Sequence, residues 1–216
     1  MIACFDVHYD NGFANAAAIV FNQWADDNVV DKYVVRCNNV REYNAGSFYK
    51  RELEPLLKVI RQIDYPIQTF VIDAYCHLSD DCAPGLGAYL YQELPDNSNV
   101  IGVAKNRFRK SSHAIELLRG GSERPLFISS IGIEYQAAAD HVQSMSGDHR
   151  IPTLLKMVDR LSRTGGVRHG APNAGLRVLL EWADYRADSV VMVVVQLKIK
   201  IRTEEQACLN STEMVV

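Results

Sequence analysis

Residues 69–77, TFVIDAYCH, constrain this chain more than any other stretch. Phe70, Val71 and Ile72 form an apolar run with no polar alternation, the pattern of a strand covered on both faces and therefore central in its sheet. The run drives straight into Asp73. An unpaired ionised carboxylate in an apolar layer is costly enough that it binds a cation or takes up a proton. Asp73 therefore sits at the strand's open C-terminal end or meets a charge. The start of the chain repeats the pattern, with Ile2, Ala3, Cys4 and Phe5 leading into Asp6. Two buried strands, each ending in aspartate, would deliver two carboxylates to one edge of a sheet.

At 216 residues the chain fits one generous domain, with or without an appendage. A net charge of −3 argues against a broad basic surface but leaves room for a local basic strip. Cys4, Cys37, Cys76, Cys82 and Cys208 form no CxxC pair. They read as free thiols in a reducing, cytoplasmic compartment, not as a zinc site or a disulfide frame. Asp6 interrupts any apolar leader, and the longest apolar run, 190–195, is too short to span a membrane.

In chain order, residues 1–7, 13–24 and 29–37 read as three strands joined by short polar turns, an antiparallel meander. Residues 47–63 form an amphipathic helix with Ser47 as N-cap, a stripe of Phe48, Leu53, Leu56, Leu57 and Ile60, and Glu52 beside it. The Asp73 strand follows Pro66. A short helix over 85–94, a strand over 99–104, a strand over 125–133 and helices over 134–145 and 151–163 complete the pattern. Asp159 stands beside the Leu154, Leu155, Val158, Leu161 stripe. Three meander strands followed by alternating strands and helices make an α/β fold, a mixed sheet flanked by helices in the ribonuclease H-like order. Residues 1–163 read as that domain. Residues 164–216 read as a C-terminal extension, packed on the same domain or partly disordered. It comprises a loose glycine-bearing connection, a helix-like stretch at 176–182 and a strand at 189–201.

In such a sheet the carboxylates Asp6, Glu52, Asp73 and Asp159 converge, and divalent cations would have to neutralise them. Oxygen-only ligands select Mg²⁺ or Mn²⁺ over zinc. Two such ions serve phosphodiester hydrolysis by activating a water and stabilising the leaving oxygen. Lys105, after the next strand, would hold a phosphate or the charge of the transition state. Taken singly, each aspartate is more often a turn former or a cap. Glu52 alone is an ordinary helix residue, and Asp159 alone would pair with Arg160 or Arg163. The functional reading rests on the conjunction. Arg107, Phe108, Arg109 and Lys110 would track a nucleic-acid backbone with one aromatic for stacking, or form a solvated loop.

These residues resemble the endonuclease V family over about 2–163. Ile101-Gly102-Val103-Ala104-Lys105 resembles the family's IGVAK strand and lysine. Gly46-Ser47-Phe48 through Glu52 resembles its glycine, aromatic segment and catalytic glutamate. The segment at Asp6 and the strand into Asp73 resemble its two metal-binding aspartate strands. Asp159 falls where the family has Asp or His. The resemblance implies Mg²⁺-dependent cleavage of DNA or RNA near inosine, with water as nucleophile and the modified base turned out into a pocket. It gives Tyr43 the place of the family's wedge, and Tyr43, Gly46 and Gly102 read as substrate contacts. Ser79 occupies the place of the family's histidine, and His77, two residues earlier and alone among the histidines in lying close to the candidate site, is the fourth. Two segments depart. The PYIPG-like wedge is here Glu42-Tyr43-Asn44-Ala45-Gly46, without prolines. The DGxGxxHP loop is here Asp73-Ala74-Tyr75-Cys76-His77-Leu78-Ser79-Asp80, followed by an insertion through Pro84. Glycines there let backbone approach a flat base, and side chains obstruct it. The resemblance thus carries over the metal site, while the base pocket departs from the family's pattern.

The expectation is a monomeric, metal-dependent endonuclease acting near a deaminated base, with Asp6, Glu52, Asp73 and Asp159 as ligands and Lys105 as catalytic cation. The competing readings are a nucleic-acid-binding relative that has lost catalysis, and an unrelated α/β protein with structural carboxylates.

Overall fold

The computed structural model describes residues 1–10, 12–38, 48–108, 112–165 and 176–179. Strands β1 (Ile2–Asp10), β2 (Phe13–Phe21) and β3 (Asp31–Asn38) form the expected meander. β1 does not stop at Val7. β2 pairs with it as far as Asp10 opposite Phe13, so Asp6 lies inside the strand and not at its end. Helix α1 (Phe48–Ile60) ends three residues before Ile63, because Gln62 and Ile63 donate to carbonyls only three residues back.

Strand β4 (Thr69–Ile72), helix α2 (Leu86–Glu93), strand β5 (Asn99–Ala104), strand β6 (Ile115–Leu117), strand β7 (Leu126–Ile131) and helices α3 (Tyr135–Ser144) and α4 (Thr153–Thr164) follow. The sequence reading passes over β6, which has only three residues and pairs with β7 alone. The helix-like stretch expected at 176–182 is replaced over Leu176–Leu179 by strand β8, parallel to β3. The free edge of β3 offers backbone hydrogen bonds that a strand can take and a helix cannot. The strand expected at 189–201 lies outside the described residues.

The sheet order is β6-β7-β5-β4-β1-β2-β3-β8, with β1, β4 and β5 parallel to one another. Alternation along β1 splits the core. Ile2 and Cys4 pack with Leu154 and Val158 of α4 and with Ala138 and Val142 of α3. Ala3 and Phe5 pack with Leu56 and Val59 of α1 and with Leu86 and Leu90 of α2. Each large apolar side chain so buried contributes about 1.5–3 kcal/mol. Ala16, Ala17 and Ala18 of β2 are fully buried, and their small side chains let helices approach both faces. The β1–β4 ladder ends at Phe5 opposite Ile72. Past that point β1 runs on paired with β2, and the next residues are Asp6 and Asp73.

Candidate active site at the end of the β1–β4 ladder

The end of the ladder determines the site. Asp73 is the first residue after β4, at its C-terminal end as expected. Asp6 follows the last residue of β1 that pairs with β4 and lies on the same side of the sheet as Cys4, facing α4. Glu52, 8% exposed on α1, comes from the opposite layer. Asp159 comes from α4, beside its buried stripe, and Lys105 follows β5. Two clefts meet here. Phe5, Asp6, Ile72 and Asp73 line both. The first, about 130 Å³, is completed by Lys105, Lys156 and Asp159 among others. The second, about 170 Å³, reaches Glu52. The predicted carboxylates and the lysine therefore occupy one locality, with the two strand aspartates at the divide.

Lys105 Nζ stands 2.5 Å from Asp73 Oδ2 and 3.8 Å from Asp159 Oδ1. Burial opposes its charge, but the hydrogen bond to Asp73 and the charges of Asp73, Asp159 and Asp6 outweigh burial and raise its pKa. Arg163 grips Asp159 with two hydrogen bonds of 3.0 and 3.1 Å and holds that carboxyl below its ordinary value. Asp6 goes the other way. Burial pushes its pKa up, the Ser162 hydrogen bond pulls it down, and the charges of Asp73 and Asp159 push it up again. Burial also lifts Glu52 to about 7, with Tyr9 opposing and Asp6 and Asp73 adding to the rise.

Among the described residues, no three His, Cys, Asp or Glu side chains are gathered closely enough to hold a metal ion as a finished cage. The donor set nevertheless fits a hard divalent cation. It offers only carboxylate oxygens, and Asp6 and Glu52 are held above their ordinary pKa partly by neighbouring carboxylates. That mutual repulsion is what a bound cation relieves.

The expected substrate contacts fare differently. Tyr43 and Gly46 lie outside the described residues. Gly102 is buried inside β5, where an added Cβ would stand 2.3 Å from the Ala74 carbonyl oxygen and 2.8 Å from Ser129 Oγ. Its role here is to let the loop after Asp73 lie directly on the sheet. His77 turns toward α3, with Nδ1 2.9 Å from the Tyr135 hydroxyl, and burial and His113 lower its pKa. The insertion after it is a tight turn. Pro84 bridges back to His77, and the Leu78 N–H donates to the Ala83 carbonyl at 2.7 Å. Asp80 at its tip accepts hydrogen bonds from the backbone N–H groups of Ser112 and His113. Of the basic cluster, Arg107 pairs with Glu116 and lies over Phe127, while Phe108 is 42% exposed.

Several supporting residues were invisible in the sequence. Pro55 inside α1 has no N–H for the Arg51 carbonyl, and the Tyr9 hydroxyl donates to that carbonyl at 2.8 Å instead. β1 is thereby tied to α1 one residue from Glu52. Ser162, fully buried, donates to Asp6. Arg150 donates to the carbonyls of Lys105 and Pro125. Arg119, 6% exposed, donates to the carbonyls of Met145, Gly147 and His149 and so fixes the loop that carries Arg150. One signal was legible. Leu154, Val158 and Ser162 continue one i, i+4 stripe, so Ser162 is a polar residue at a core position of α4.

Known proteins share this architecture. Residues 1–160 match the family model described as Endonuclease V. Endonuclease V of Ciona intestinalis, solved with a 24-mer DNA containing an inosine followed by a ribo-adenosine, superposes with a TM-score of 0.64 at 19% identity, covering 76% of this chain and 84% of that one. Endonuclease V of Streptomyces avermitilis gives 0.60 at 25% identity, covering 76% and 79%. The catalytic domain of human endonuclease V gives 0.60 at 20%, covering 76% and 80%. The Ciona and human likenesses are of fold. No curated protein matches the chain in sequence. With 160 of 216 residues under the family model and a ribonuclease H-like sheet behind the carboxylates, the chain belongs to the endonuclease V family.

Proposed function

We propose that the chain is a divalent-metal-dependent endonuclease that hydrolyses a phosphodiester near a deaminated base, inosine or deoxyinosine, in RNA or DNA. The observation that carries this reading is the meeting of Asp6 and Asp73 where the β1–β4 ladder ends, between clefts that reach Glu52 on one side and Asp159 and Lys105 on the other. Asp6, Glu52, Asp73 and Asp159 would hold Mg²⁺ or Mn²⁺. A cation pair bound there supplies an activated water and neutralises charge on the leaving oxygen. Lys105, its pKa raised, stays protonated at neutral pH and donates to a non-bridging phosphate oxygen. Arg163 keeps Asp159 oriented, and Tyr9 ties β1 to α1 beside Glu52. Phe108, exposed three residues after Lys105, stacks on a nearby base. Tyr43 would serve as the wedge beside the displaced base, and His77 as a contact at the pocket's rim. No helix among the described residues is long and apolar enough to cross a membrane. Cys4, Cys37, Cys76 and Cys82 are free thiols, in keeping with work in the reducing cytoplasm.

The second reading, a nucleic-acid-binding relative without catalysis, draws on the lack of a finished ligand cage and on the side chains that fill the loop after Asp73. A nicking assay separates the two. It uses labelled single- and double-stranded oligonucleotides with one inosine, as DNA and RNA, with Mg²⁺, Mn²⁺ or EDTA, beside Asp73→Asn. Metal-dependent cuts near inosine that Asp73→Asn abolishes are expected. Cuts elsewhere would keep the metal site and discard inosine. Binding without cutting would select the second reading.

A further inference from the structure

We propose that Ser162 is a positioning residue that sets the spacing between the carboxylates of Asp6 and Asp159. The inference rests on the metal-site reading above and extends it to a residue outside the ligand set. Ser162 is fully buried at the inner face of α4's last turn, the third member of the Leu154, Val158, Ser162 stripe. Its hydroxyl reaches the Asp6 carboxylate on β1 and lies 2.8 Å from the backbone carbonyl of Asp159, one turn earlier on its own helix. A hydroxyl has one proton, so it donates to one of these at a time. Given to Asp159's carbonyl, the proton makes a local helix contact of little consequence. Given to Asp6, it joins two elements 156 residues apart in sequence. The carboxylate, carrying charge, is the stronger acceptor.

The consequence is geometric. Asp6 has its free backbone edge toward β4 and would otherwise choose its rotamer under repulsion from Asp73 and Asp159. Ser162 takes up Oδ2 and leaves Oδ1 for a ligand. Because Asp159 lies three residues earlier on the same helix, the bond that ties Asp6 to α4 also limits how far the Asp159 backbone stands from it. The next residue, Arg163, orients Asp159 itself. The last turn of α4 thus governs two of the four carboxylates, and Gly165 caps that turn in a left-handed conformation against Asn15 of β2. Ser162 lines neither cleft, so it acts through Asp6 and not on substrate.

The test is Mn²⁺ binding by titration calorimetry on the full chain, without nucleic acid. Ser162→Ala, Ser162→Cys and Asp6→Asn are compared with the unchanged protein, each checked for cooperative thermal unfolding. Cysteine fills the space that alanine would leave empty but donates only weakly, so it separates hydrogen bonding from packing. Both Ser162 variants should bind Mn²⁺ about ten- to a hundredfold more weakly, as loss of an outer partner of a ligand does, and Ser162→Thr should recover most of the affinity. Ser162→Cys binding like the unchanged protein would overturn the proposal, because packing alone would then suffice. Undiminished binding in Asp6→Asn would overturn the metal-site reading itself, and this inference with it. Loss in Asp6→Asn with no change in either Ser162→Ala or Ser162→Cys would overturn only the role of Ser162.

Discussion

Glu52 is a buried carboxyl whose protonation changes near neutral pH. Its carboxyl rises from 4.5 to about 7, chiefly through burial, with Tyr9 opposing and the charges of Asp6 and Asp73 adding. Between those two values the folded protein binds a proton that the unfolded chain releases. Stability from this group is therefore complete below about pH 4.5 and is lost as pH rises through 7. The size is on the order of 2–3 kcal/mol. Denaturant unfolding in metal-free buffer should become easier from pH 5 to 7.5, and Glu52→Gln should flatten that slope. An unchanged slope in Glu52→Gln would mean another group carries it. The glutamine variant should also lose metal affinity, because the same carboxylate that costs stability when ionised is a proposed ligand.

At the scale of elements, two buried contacts hold the site's loops. Gly102 lies beneath the loop after β4, and a methyl group there has only 2.3 Å to the Ala74 oxygen. Gly102→Ala should cost about 2–3 kcal/mol in urea unfolding, the usual penalty for overpacking. It should weaken metal binding too, because the displaced loop begins at Asp73. Arg119 is the second contact. Its guanidinium satisfies the Met145, Gly147 and His149 carbonyls at 2.7–3.0 Å. Arg119→Met leaves them without that donor and should cost about 3 kcal/mol. Arg150 would then release the Lys105 carbonyl, so cleavage should fall more than stability alone explains. Equal losses of folded fraction and of activity would reduce Arg119 to a purely structural role. Arg119 does not advertise itself in the sequence, and Gly102 stands out there only as part of the 101–105 motif and as a substrate contact, not as the floor of a loop.

For the molecule as a whole, folding and metal binding should be linked. The sheet gathers Asp6, Asp73, Glu52 and Asp159, and Lys105 and Arg163 offset part of their charge. A cation bound to the folded state at about a hundred times its dissociation constant adds about 2.7 kcal/mol. For a chain of this size that raises Tm by about 5–10 °C. Thermal unfolding with Mg²⁺ should show this shift in the unchanged protein and not in Asp6→Asn, and equal shifts in both would locate the cation elsewhere. The sequence by itself determined the sheet's centre. Apolar runs leading into Asp6 and Asp73, the stripes of α1 and α4, and the residues 101–105 were enough to name the fold and to nominate the carboxylates and the lysine, because hydrophobic periodicity is a local property of a chain. Only the tertiary structure decided the rest. That β1 outruns β4, that Tyr9 answers the carbonyl Pro55 leaves unpaired, and that Ser162 meets Asp6 all depend on partners 42 to 156 residues away. A hydrogen bond between such distant residues leaves no period in the sequence. It exists only once packing has brought the two elements together.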